Sequence, residues 1–150
     1  MSKNKIIINN ALLIFAGIIG FFFIMKFSGL DNVSELRFLN FVFVFWGINR
    51  AIKTNIKTNQ ETLYFENLLI GAGTSILAVG LTIVGLIIYV SFIDGAFLSV
   101  LENSSFWGKN LSLPLVVFAL AIEGIASSVT CAFILMQYYK NYKVSNTALV

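Results

Sequence analysis

Four long apolar runs joined by short polar connections constrain this chain more than any other feature. They cover about residues 6–27, 33–52, 68–93 and 112–139. A helix of about twenty residues rises roughly 30 Å, the thickness of a bilayer's hydrocarbon core. That layer holds no water for backbone N–H and C=O groups, so each run has to satisfy its own as a helix. The expected fold is therefore all-α, a polytopic membrane protein with four transmembrane helices in a single domain over residues 1–150. Composition agrees: 58% hydrophobic and 11% charged residues, with a mean hydropathy of +0.88, is too apolar for a soluble domain of this length.

The first run follows Lys3 and Lys5, as a signal peptide would, but it is longer than a signal core and no Ala-x-Ala site comes after it. It reads as a retained helix, with Ala16 and Gly20 as a close-approach patch. The second run is the weakest. Its continuous part, 38–48, is too short to cross alone and must recruit 33–36 and 51–52, with Glu35, Arg37, Asn49 and Arg50 near its ends. Long arginine side chains can reach the interface from there. The alternation Phe41, Val42, Phe43, Val44, Phe45 suits a strand, yet every position is apolar and an isolated strand in lipid would leave its backbone unpaired. Helix is the consistent choice.

Charge placement supports four crossings. With both termini cytoplasmic, Lys3, Lys5, Arg50, Lys53, Lys57, Lys140 and Lys143 lie inside and Lys26, Arg37 and Lys109 outside, a split of seven to three. The expected location is a bacterial inner membrane. The connection 53–67 reads as a cytoplasmic continuation of the second helix and then a turn around Asn59. Its lysines and glutamates nearly cancel, so it is taken as a solvated loop rather than a lipid-binding patch.

Gly71, Ser75, Ala78, Thr82 and Gly85 recur at spacings of four and three and so share one helix face. Ala121, Gly124, Ser128 and Cys131 form a matching stripe in the last run. Small residues let helix backbones approach in lipid, so both stripes are expected to pack helices, within the unit or in a homodimer. Between the third and fourth spans, 94–111 reads as a short amphipathic outer helix that Asp94 can cap, while Ser112 and Pro114 open the last helix.

One acid, Glu123, stands deep in the last run, with Ser127 and Thr130 following at helical spacing. A carboxylate at the bilayer centre costs roughly 2.5–3.5 kcal/mol on insertion scales, so it is expected to face protein or water and marks a candidate polar site. Arg37, entering from the same side, is the first expected partner and Asn40, one turn deeper, the second. Without such a partner Glu123 would be protonated and donate a hydrogen bond.

The residue inventory removes much chemistry. With no histidine and one cysteine, Cys131, the chain lacks the usual haem ligand, a zinc cluster and the base of a Ser–His pair. Asp31 and Asp94 both fall in outer connections, so two aspartates at depth, as an intramembrane protease needs, are missing. No catalytic, cofactor-binding or metal residues are expected. The pI of about 9.1 comes from flanking lysines, which argues against nucleic acid. The expected partners are the bilayer and either other membrane subunits or a second copy. The function reading is a non-catalytic membrane protein of unassigned role, alone or as an accessory subunit of a larger inner-membrane complex. The alternative is a small proton- or cation-coupled transporter using Glu123; small multidrug exporters share the helix count, but their acid is in the first helix, where this chain has none.

The stretches Phe92-Ile93-Asp94, Glu123-Gly124-Ile125-Ala126-Ser127 and Phe133-Ile134-Leu135-Met136-Gln137-Tyr138-Tyr139-Lys140, with Arg37-Phe38-Leu39-Asn40 upstream, resemble an uncharacterised four-helix membrane family of Bacteroidota, a domain of unknown function. The resemblance covers most of the chain after Leu36. It implies architecture and source, and carries no active site.

Overall fold

The computed structural model describes residues 1–30, 39–104 and 112–140. Five helices follow in order: α1 (Lys3–Phe27), α2 (Asn40–Asn59), α3 (Tyr64–Phe92), α4 (Phe97–Ser104) and α5 (Leu113–Tyr139). The described residues contain no strand, and α1, α3 and α5 are long and apolar enough to cross a membrane.

Local chemistry sets the helix ends. Ser2 caps α1, its hydroxyl accepting the Lys5 N–H at 3.4 Å. At the other end Gly29, at φ +68°, lets the Gly29 N–H reach the Lys26 carbonyl (3.1 Å) and the Leu30 N–H reach that of Met25 (2.9 Å). That reversal closes the last turn as a Schellman motif. Ser112 stands at the cap position of α5 with Pro114 in the first turn, but its hydroxyl makes no capping bond; its carbonyl takes the Leu115 N–H at 2.9 Å instead.

The second helix differs from the expected span. It runs Asn40–Asn59, so it extends past residue 52 through Lys53 and Lys57, while 33–38 lie outside the described residues. Polarity did not stop it, because Arg50, Lys53 and Lys57 are exposed while Ala51, Ile52, Asn55 and Ile56 are buried. The turn anticipated near Asn59 comes at Gln60, which adopts a left-handed conformation at φ 52°.

α2 and α3 form a central pair, and both touch α1 and α5. α1 and α3 run the same way, with Lys3 beside Glu66 and Lys26 beside Tyr89. α2 and α5 run against them: Ile14 meets Gly47, and Gly124 meets Val79. The molecule thus has a Lys3 end and a Lys26 end.

Small residues set the spacing. A Cβ on Gly71 would lie 3.1 Å from Ile48 and Ile52 of α2, and one on Gly85 would lie 3.2 Å from Phe15 of α1. Between them Ser75 is buried and Ala78 packs with Ala11 and Ile14. The α3 stripe therefore faces α1 and α2 of its own chain. On α5, Gly124 admits Val79 of α3, Ser128 and Cys131 are fully buried, and Ala121 is half-buried.

Candidate functional site

Polar chemistry collects at three levels. At the Lys26 end the Lys26 ammonium donates to Asp94 Oδ2 (2.8 Å) and to the Tyr89 hydroxyl, and lies 4.8 Å from the centre of the Tyr89 ring. Tyr89 in turn donates to Asp94 at 3.5 Å. Phe22, Tyr89 and Phe97 pack edge-to-face on one another, with centroids 5.1 to 5.6 Å apart. The Lys26 ammonium holds the Asp94 carboxyl below the usual carboxylate range, opposed by desolvation and helped by the Phe97 and Ala96 N–H groups. Asp94 therefore ties α3 and α4 to α1 as well as facing the start of α4.

At the Lys3 end, buried amides join the helices. Asn55 donates to Asn67 Oδ1 (2.9 Å), Asn59 donates to Asn55 Oδ1 (2.8 Å), and the Met1 nitrogen donates to Asn59 Oδ1 (3.1 Å). Asn67 gives its own N–H groups to the carbonyls of Glu61 (3.0 Å) and Leu63 (3.1 Å), which fixes the α2–α3 turn. Lys3 bridges Glu61 (3.4 Å) and Glu66 (2.7 Å), and Tyr139 donates to Asn49 at 2.6 Å. A recess beside this network, lined by Glu61, Tyr64, Asn67 and Tyr139, holds about 20 Å³, room for one water.

The third level is the row on α5. Glu123 is half-buried, next to the Gly124–Val79 contact, and so stands near the middle of α3. Arg37 lies outside the described residues, and with it the expected Glu123–Arg37 pair. Asn40, the first residue of α2, is half-buried, and its Oδ1 is enclosed without a hydrogen-bond partner among the described residues. Ser127 is half-buried, but Thr130 is exposed and donates to the Ala126 carbonyl at 2.9 Å. The row lies along a flank of the packed helices instead of turning wholly inward; Ser128, one position round, is the fully buried hydroxyl.

Most hydroxyls at depth are spent on their own helix. Thr74 donates to Ile70 O (2.7 Å), Ser75 to Ala72 O (3.0 Å) and Thr82 to Ala78 O (2.8 Å). Among the described residues, no three of His, Cys, Asp and Glu converge. An open-sided apolar groove of about 560 Å³ runs between α3 and α5, lined by residues such as Ile87, Pro114 and Phe118.

Sequence reasoning missed the two end clusters. Lys26 meets its two partners 63 and 68 positions away, for which no local pattern exists. The amides left a fainter trace: Asn55 and Asn59 are one turn apart, and Asn67 follows a short turn, in a segment read as solvated.

Three long apolar helices, packed through small residues and tied by polar clusters at both ends, define a helical membrane protein. Comparisons with protein-family models, curated proteins and solved structures find no match.

Proposed function

We propose that this chain is a non-catalytic integral membrane protein, an accessory subunit of a larger bacterial inner-membrane assembly, crossing four times with both termini cytoplasmic. The observation that carries this reading is the way the space between helices is used. Gly17 meets Phe43, Gly71 meets Ile48 and Ile52, and Gly124 meets Val79, so backbone contacts fill the interior where a substrate path would need room. α2 as the fourth crossing is supported by its contacts with α1, α3 and α5 along its length.

The test is to extract the protein from its native membrane in mild detergent and measure the mass of its particle. An accessory subunit co-migrates with a larger stoichiometric assembly. A particle of one or two copies that changes ion or solute flux in liposomes defeats the reading.

One observation favours a second function. Glu123 stands near the middle of α3, at the depth where a coupling acid would work. In that case Glu123→Gln abolishes proton-coupled flux in liposomes; unchanged flux removes the transporter reading.

A further inference from the structure

The acids of the 53–67 connection do not neutralise its bases in space. Glu61 and Glu66 both turn to Lys3, at 3.4 and 2.7 Å. Among the described residues, Arg50, Lys53 and Lys57 make no ion pair. All three are exposed and follow Val42 and Trp46 at spacings of four, four, three and four, which keeps the five residues on one face of α2. Three uncompensated cations thus form a ladder on the outside of a helix that packs, on its other side, into the membrane protein's core.

The ladder has a polarity gradient. Val42 and Trp46 are 60% and 48% exposed on the apolar half of the helix, and the Arg50 guanidinium carbon lies 5.6 Å from the Trp46 ring. From Trp46 to Lys57 the helix rises roughly 16 Å, and from Arg50 to Lys57 roughly 10 Å. Lys57 stands one turn before the Gln60 reversal at the polar end, so Arg50 sits at the edge of the hydrocarbon with Trp46 beneath it. That order, apolar then aromatic then cationic, matches a phospholipid read from acyl chain to headgroup.

We propose that this face of α2 holds an anionic phospholipid, with its phosphate between Arg50 and Lys53 and its acyl chain along Trp46 and Val42. Charge selects the occupant: three cations without acids disfavour a cationic or zwitterionic partner, and the apolar continuation gives a free anion nothing to fill. The site rests on the chain lying in a membrane and is independent of whether it is an accessory subunit or a transporter.

The experiment is native mass spectrometry of the detergent-purified full chain, titrated with phosphatidylglycerol and phosphatidylcholine of identical acyl chains. Wild type is expected to retain phosphatidylglycerol in preference by about tenfold or more, with the preference falling as salt rises. Arg50→Gln with Lys53→Gln removes most of that preference, bringing retention of the two lipids close to parity. Lys53→Gln with Lys57→Gln, which leaves Arg50 on Trp46, lowers it in the same direction and guards against a folding defect in the first pair. Lys5→Gln with Lys140→Gln, at the same end but on α1 and just past α5, leaves it unchanged. Equal retention of the two lipids, or the same preference in the α2 variants, overturns the proposal. So does displacement of the lipid by inorganic phosphate at equal concentration, which would make this a free-anion site.

Discussion

A Cβ at position 47 would collide with Ile14, whereas one at position 20 would meet nothing within 4 Å. These two glycines, both in long helices, should respond oppositely to substitution. Gly47→Leu forces α1 and α2 apart and should cost about 1–3 kcal/mol, the usual range for overpacking. Gly20→Ala removes a flexible residue from a helix interior and should be neutral or stabilising by up to about 1 kcal/mol. Thermal unfolding in detergent compares them directly. The sequence shows which small residues share a face, since Gly71, Ala78 and Gly85 follow helical spacing. It does not show that Gly71 receives α2 while Gly85 receives α1, because that depends on neighbours placed by the whole chain. Thr130 marks a similar limit: its spacing from Glu123 is helical, yet its exposure depends on how α5 is rotated against α2 and α3.

Among the elements, α2 teaches most. Its apolar half was visible, but the helix continues to Asn59, since a helix ends where its hydrogen bonds and caps end and not where its polarity changes. The other long helices were easier to read because apolar length and helix length nearly coincide, as in α5, which starts beside Pro114. The short helix α4 depends on one turn. The Asp94 carboxyl is held below its ordinary value of about 3.9 chiefly by Lys26. A depressed carboxyl contributes stability that is fully present above its unfolded pKa and is lost as pH falls through its folded pKa. Acid below about pH 4 should therefore loosen the α3–α4 turn, seen as hydrogen exchange of the Phe97–Ser104 amides that is faster relative to the intrinsic rate at that pH. Asp94→Asn should show that faster exchange already at neutral pH and lose the acid step.

Taken whole, the molecule is fastened at two ends with small residues between. Asn67→Ala leaves the Asn55 amide and the Glu61 carbonyl without their Asn67 side-chain partner, while the Leu63 carbonyl keeps the residue-67 N–H (3.2 Å), and should cost about 1–3 kcal/mol. The Asn67 and Asp94 clusters lie about a helix length apart and share no residue, so the effects of Asn67→Ala and Asp94→Asn on the unfolding free energy should add within about 0.5 kcal/mol. Coupling beyond that would mean the two ends communicate through the packed interior.

The two clasps also restrict motion. Lys3 reaches Glu66 and Lys26 reaches Tyr89 across the same interval of 63 residues, at opposite ends of the same two helices. α1 is therefore pinned to α3 like a rod bolted at both ends. A slide of one helix past the other by a turn, about 5.4 Å, would shear both fastenings at once. Piston movement of α1 against α3 is therefore resisted at both ends of the helix pair.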